Sequence, residues 1–248
     1  MVVPTVVGGQ SACPRPRLSA YAHNDYANAR PLTDALALGY RGVEADVFLV
    51  DGVLRLGHDR RRARTGAPFE ARYLMPLQAV LVRCAPLQID GAPFLLAVEL
   101  KEPSRAAYDA LVASLARYPA VTAAVEVVLV GWHPGPAVLS SAPVPLGRQH
   151  RLRTPDAVPA DALDGGVRLL SLDYGKTVGR WWVRRGGRRR WLAALRATKA
   201  AHPARWLRAH NVPVDPEVYR ALLAAGVDLI GTKALPASAR LLERPPTP

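Results

Sequence analysis

Apolar positions recur along the chain in short β-branched or Leu-rich runs, set apart by helix-patterned or turn-rich stretches. The runs are 18–23 LSAYAH, 42–48 GVEADVF, 94–101 FLLAVELK, 125–131 VEVVLVG, 145–152 PLGRQHRL, 168–174 RLLSLDY, 205–212 RWLRAHNV and 227–233 VDLIGTK, eight in all. Between several of them the spacing of apolar residues predicts helices over 31–38, 104–117, 191–201 and 216–225. Pro31 opens the first and Gly39 closes it, while Asp215 stands as N-cap of the last and Gly226 just past its end. Strands alternating with helices predict a parallel sheet, and eight such units predict a closed α/β barrel of the TIM (β/α)8 type. After the second run, DGVLRLGHD predicts a hairpin turning at Asp51-Gly52. The Pro-rich stretch 134–166 shows little helical pattern.

Length agrees with that architecture, since 248 residues match the roughly 250 typical of such a barrel. With half the residues hydrophobic, a large core is available and wholesale disorder is excluded. No repeat or long linker divides the chain, so one barrel domain is expected over 18–240, with a loose N-terminal arm at 1–17 and a tail at 241–248. No apolar run approaches the roughly 20 residues that cross a bilayer, so no transmembrane segment is expected. The N-terminus lacks a basic n-region and its apolar part, Met1 to Val7, is broken by Pro4; QSAC, ending at Cys13, is similar to a lipoprotein cleavage site but lacks the preceding apolar helix. As it stands the sequence predicts a cytoplasmic protein, and a true start lying upstream would make it a secreted or periplasmic one. Cys13 and Cys84 predict neither a disulfide framework nor a metal cluster, and Cys84 reads as a small core residue.

The formal charge of +13 raises the question of a nucleic-acid or anionic-surface partner. Only four of the 33 basic residues are lysines, a balance that points to coding bias toward Arg as much as to a basic face. The densest cluster, RWWVRRGGRRRW at 180–191, reads as a solvated loop with anchoring indoles ahead of an anion-contacting lid. No specific nucleic acid is expected as a partner.

In such a barrel, chemistry sits at the C-terminal ends of the strands. There the sequence places His23-Asn24-Asp25, then Glu44 and Asp46, then His58-Asp59 on the hairpin, Glu99 and Lys101, Asp173 to Lys176, Arg208 and His210, and Lys233. Glu44 and Asp46 are two apart on an apolar strand and so share one face, where like charges need an offset. With Glu99 they form a set of hard oxygen ligands for one divalent cation, Mg²⁺ or Ca²⁺. The alternative is a structural network with Lys101 or an arginine. His23 and His58 flank the acids as a general acid/base pair, with Asp25 or Asp59 to orient one of them. Asn24, Lys101, Lys176, Arg208 and His210 are candidate substrate-binding residues. His133 and His150 stand near strand ends as candidate pocket-lining residues or as loop or core residues, His202 reads as a helix C-terminal charge partner, and Tyr26 and Tyr174 as substrate contacts or as residues that close the rim.

The ordered residues, His, Glu-x-Asp, His-Asp about a dozen residues on, and Glu-x-Lys on the next strand, resemble the glycerophosphodiester phosphodiesterase branch of the phospholipase C-like phosphodiesterase superfamily. AHNDY, VEADVFLVDG, GHD and the closing LLAAGVDLIGTKAL resemble in particular the group that includes the altered inheritance of mitochondria protein. The resemblance spans about residue 20 to 236. It implies a TIM barrel, a cation on Glu44, Asp46 and Glu99, and His23 and His58 as the acid/base pair of a phosphoric diester hydrolase. Its expected substrate is a small phosphodiester or phospholipid headgroup. Two alternatives go with it: a phospholipase C- or D-like lyase forming a cyclic phosphate, and a non-catalytic barrel that binds anionic lipid or nucleic acid. Two departures bear on specificity: His23-Asn24-Asp25 stands where the typical enzyme has His-Arg-Gly, and the closing strand ends Thr232-Lys233 where Thr-Asp is common.

Overall fold

The computed structural model describes residues 13–84, 87–89, 91–155, 158, 163–178 and 187–243. All eight expected strands are present: β1 (Leu18–Ala22), β2 (Tyr40–Val50), β5 (Ala92–Leu100), β6 (Val125–Val130), β7 (Gly147–Leu152), β8 (Val167–Asp173), β9 (Trp206–His210) and β10 (Leu229–Thr232). Each pairs in parallel with the next in chain order, and β10 pairs with β1 to close the barrel. The predicted hairpin is there too, β3 (Val53–Leu56) running antiparallel to the extended end of β2. Its turn places both Asp51 (φ 49°) and Gly52 (φ 76°) in the left-handed region, the geometry that suits the right-handed twist of the flanking strands. A two-residue strand, β4 (Gln88–Ile89), adds an antiparallel pairing at the start of β5 and was not legible as a pattern.

The helices are α1 (Thr33–Ala37), α2 (Arg60–Thr65), α3 (Met75–Arg83), α4 (Arg105–Ala116), α5 (Pro119–Ala124), α6 (Pro136–Ser140), α7 (Gly187–Ala201), α8 (Pro216–Ala224) and α9 (Leu235–Glu243). The four expected helices correspond to α1, α4, α7 and α8, and the side chains of Ser104 and Asp215 cap α4 and α8 by accepting from Ala107 N–H and Val218 N–H. Three of the others, α2, α5 and α6, have only five or six residues and are too short to show a clear 3.6-residue period, whereas α9 is as long as α8 and was missed. α3 continues a π-helical turn, Glu70–Leu74, whose extra residue breaks the register. α9 ends at Glu243, three residues past the expected end of the domain, and the rest of the expected tail, 244–248, lies outside the described residues.

Apolar side chains fall into an inner and an outer set. Tyr21, Leu95, Ala97, Val128, Val130, Leu169, Trp206 and Leu229 fill the barrel interior, while larger clusters pack the strands against the helices. Gly42 is required inside: a Cβ there would lie 3.0 Å from Leu95 Cβ and 3.1 Å from the Tyr21 ring. Its missing side chain lets the Tyr21 ring lie across β2, directly below the acids.

The N-terminal arm is not loose where it is described. Cys13 and Cys84 form a disulfide, with Cα atoms 5.6 Å apart, which corrects the expectation of two unpaired cysteines and of a Cys84 buried in the core. The arm reaches the end of α3 because Arg17 and Leu18 N–H both donate to Gly39 O as the chain enters β1. A pairing across 71 residues leaves no local spacing to read. Residues 1–12 and most of the 180–191 basic cluster, 180–186, lie outside the described residues; Gly187 to Trp191 open α7.

Candidate active site

Strand alternation sends Glu44 and Asp46 from β2 and Glu99 from β5 into the C-terminal mouth of the barrel, with Asp46 and Glu99 directly paired in register. One oxygen from each of the three lies within 4.8 Å of the others. At an effective dielectric of 20, each such pair of charges repels by about 3–4 kcal/mol, so the cluster needs compensation.

Two cations supply part of it. Arg208, buried on β9, donates from Nη1 to Glu44 Oε2 (3.0 Å) and from Nε to Ser171 Oγ (3.0 Å), and its guanidinium lies over the Tyr21 ring at 4.6 Å. Tyr21 OH donates to the same Glu44 oxygen at 3.0 Å. Lys101 Nζ lies 3.2 Å from Glu99 Oε1 and 3.6 Å from Asp46 Oδ2. The structural network weighed from the sequence is therefore present, but it is incomplete. Three carboxylates against Lys101 and Arg208 leave one negative charge over, and Asp46 Oδ1 is buried with no hydrogen-bond partner. A buried orphan acceptor beside two more carboxylates fits a hard divalent cation.

Titration follows these contacts. Burial would raise Glu44, but Arg208, His23 and Tyr21 outweigh it and hold the carboxyl below its ordinary value. Glu99 is pushed up, by burial first and then by the Asp46 carboxylate, with Lys101 opposing. Lys101 is raised, since Asp46 and Glu99 outweigh its partial burial.

His23 follows β1, with Nε2 4.0 Å from Glu44 Oε1, and burial lowers its proton affinity against the pull of Glu44. His58 stands at the outer rim, its side chain 56% exposed, and Nδ1 is 3.1 Å from Asp46 Oδ2 and 3.3 Å from Tyr26 OH. The two histidines thus approach the acids through different carboxylates. Neither is oriented as expected from the sequence. Asp25 is buried and accepts from Leu32 N–H (2.6 Å), Tyr73 OH (2.9 Å) and Asn28 Nδ2 (3.0 Å), so it closes the loop after β1. Asp59 caps α2 by accepting from Arg62 N–H. The group that orients His58 is Asp46 itself.

The remaining candidates divide. Arg208 is committed to Glu44. His210 is buried beside it, with Nδ1 3.3 Å from Ser171 Oγ, Nε2 3.7 Å from Asp173 Oδ2, and its ring edge-on to His23 at 6.0 Å. Asn24 takes a left-handed conformation (φ 53°) that turns the chain out of β1, and Ala27 N–H donates to its carbonyl. Lys176 is exposed on the rim and lies 3.6 Å from Asp173 Oδ2. Lys233 is exposed past β10. Tyr174 packs edge-on to Trp191, away from the acids.

His133 bonds to the adjacent Pro134 carbonyl. His150 points outward from β7: it pairs in register with Leu170 of the outer core, while neighbouring Gln149 pairs with Leu169 of the interior. Gln149 takes the inward place, its Oε1 accepting from Gly131 N–H (3.4 Å) next to Glu99. His202 ends α7, where Nε2 donates to Val158 O and Nδ1 accepts from Arg205. Sequence reading missed Tyr21, Ser171 and Gln149. The first two sit two residues from an assigned strand-end residue, His23 and Asp173, and a stricter use of the two-residue period would have found them.

Residues 16–92 match the model of the AIM6-like phosphodiesterase domain family, a stretch that carries His23, Glu44, Asp46 and His58. Among solved structures, a glycerophosphodiester phosphodiesterase from Agrobacterium tumefaciens str. C58 superposes with a TM-score of 0.53 at 17% identity, covering 90% of this chain and all (100%) of that one. A second protein of that strain, a candidate glycerophosphoryl diester phosphodiesterase, gives 0.52 at 14% identity, covering 90% and 96%. At such identity the structural likeness speaks to the fold. No curated protein matches the sequence. The family match covers less than a third of the 248 residues and points to a phosphodiesterase domain, and the barrel agrees with it in fold.

Proposed function

We propose that this barrel of the phospholipase C-like phosphodiesterase superfamily is a metal-dependent phosphoric diester hydrolase acting on a small, monoanionic phosphodiester of the glycerophosphodiester or headgroup kind. The observation that carries the reading is the convergence of Glu44, Asp46 and Glu99, with the orphan oxygen of Asp46 among them and a histidine on either side.

Glu44, Asp46 and Glu99 would hold one divalent cation, which when bound supplies Lewis-acid stabilisation of charge on the phosphoryl oxygens. The protein's own groups do the rest. The single negative charge left by the acids, Lys101 and Arg208 becomes a single positive one with a divalent ion, the complement of a diester monoanion. Lys101, at the edge of the acids, is the cation placed to follow charge that develops on the phosphoryl group. His23, on the inner side, takes a proton from the attacking water, whose oxygen bonds to phosphorus as the ester bond to the leaving alcohol breaks. His58 faces solvent, where the alcohol departs, and gives a proton from Nε2 because Nδ1 is engaged by Asp46 and Tyr26.

Hydrolysis of bis(p-nitrophenyl) phosphate by chelator-stripped protein, with Mg²⁺, Ca²⁺ or Mn²⁺ restored, tests this. Glu99→Gln is the companion variant, since Glu99 is the least buried of the three and bonds only Lys101. Turnover that returns with metal and is absent in the variant is the expected result. No turnover together with no cation binding by calorimetry would return the acids to a purely structural role.

A further inference from the structure

Each of the three carboxylates has one oxygen tied and one left. Glu44 Oε2 accepts from Tyr21 OH and Arg208 Nη1, both at 3.0 Å, while Oε1 faces the mouth with His23 at 4.0 Å. Asp46 Oδ2 accepts from Tyr26 OH (2.8 Å) and His58 Nδ1 (3.1 Å), and Oδ1 is the buried orphan. Glu99 Oε1 accepts from Lys101 Nζ at 3.2 Å, which leaves Oε2. The tethers are stiff where they matter most. Tyr21 is fully buried across Gly42, and Arg208 is held between its ring and Ser171, so Glu44 Oε2 cannot swing toward the mouth.

A carboxylate chelates a cation with both oxygens only when both are free to turn toward it. Ca²⁺ takes about 6–8 oxygens at roughly 2.3–2.6 Å and readily uses such chelating carboxylates; Mg²⁺ takes about six at roughly 2.0–2.1 Å in octahedral array and keeps several waters. We infer that the tethers on Glu44 Oε2, Asp46 Oδ2 and Glu99 Oε1 make the acids three single-oxygen ligands and so select a small octahedral cation of the Mg²⁺ class over Ca²⁺. This selectivity rests on the metal reading above and extends it: the tyrosines are positioning residues that touch no cation and act through the carboxylate oxygens they occupy.

Calorimetric titration of the chelator-stripped full chain with Mg²⁺ and separately with Ca²⁺ tests it, beside the double variant Tyr26→Phe/His58→Ala. Tyr26 and His58 are the two hydrogen-bond donors on Asp46 Oδ2, so removing both frees that oxygen, and both stand at the rim, where their loss does not endanger folding. The wild type is expected to bind Mg²⁺ more tightly than Ca²⁺, and the double variant to move the ratio of the two dissociation constants about tenfold toward Ca²⁺, the low end of what outer groups contribute at metal sites. Tethers with a merely structural role would weaken both ions alike. A ratio unmoved in the double variant, or a wild type that prefers Ca²⁺, overturns the inference while leaving a cation site in place. Binding of neither ion to the wild type overturns the metal reading with it.

Discussion

Arg208 Nη1 meets Glu44 Oε2 at 3.0 Å across the barrel mouth, from 164 residues away in the chain, and both side chains are buried. Removing one partner of such a pair strands the other charge out of water, at a cost of about 3–5 kcal/mol. Arg208→Met is therefore expected to lower the urea midpoint strongly. In the double variant Arg208→Met/Glu44→Gln the stranded charge is gone, and much of the loss should return. If the single and double variants unfold alike, the pair does not carry that stabilisation.

The different settings of His23 and His58 make the two separable by leaving group. p-Nitrophenolate departs without a proton, whereas a glycerol or alkyl alkoxide needs one. His58→Ala is expected to lose roughly 10²–10⁴-fold on an alkyl diester and far less on bis(p-nitrophenyl) phosphate. His23→Ala should lose activity on both. Rate constants for the two substrates with each variant decide it, and the reverse pattern would exchange the roles.

His210 predicts an acid limit to stability. Burial, with help from the Arg208 guanidinium, pushes its pKa down to about 4 from an ordinary 6.5, against the opposing pull of Asp173. Between those values the unfolded chain binds the proton and the folded one does not. Stability from this group is thus complete above about pH 6.5 and is lost as pH falls toward 4. The gap corresponds to at most about 3 kcal/mol. Urea midpoints at pH 7.5 and pH 5 should fall less in His210→Gln than in the wild type; equal falls would remove His210 as the cause.

Much of this was open to reading because barrel strands carry their chemistry in fixed places. Glu44 and Asp46 share a face by simple alternation, and Glu99 arrives beside them because β5 pairs with β2 in parallel. What the sequence hid depends on contacts across the barrel. Nothing near Arg208 says that its charge is spent on Glu44 and not offered to a substrate, and nothing near Asp25 says that it will turn inward to bind Tyr73. His150 illustrates a different failure. Choosing the histidine by chemical type overrode the alternation that gives Gln149 the inward place. The short helices α2, α5 and α6 carry too few turns for a period to show.

The disulfide is the other long-range contact, and it makes a prediction about the thiols. Cys13 and Cys84 are 71 residues apart, so their bond closes a long loop in the unfolded chain and stabilises the fold by up to about 4 kcal/mol on a chain-entropy argument. Such a bond persists where the surroundings are oxidising and is rare in a reducing cytosol. Protein alkylated on harvest without reductant should therefore show neither cysteine modified by mass spectrometry, and both modified after reduction under denaturing conditions. Reduction, or Cys84→Ser, is expected to lower the unfolding midpoint while leaving phosphodiester turnover in place, because the bond ties the N-terminal arm to the end of α3 and not to the acids. Two alkylated cysteines in the unreduced folded protein would show that the disulfide does not hold the arm, which then rests on the Arg17 and Leu18 hydrogen bonds to Gly39 and on the ion pair of Arg17 with Glu243.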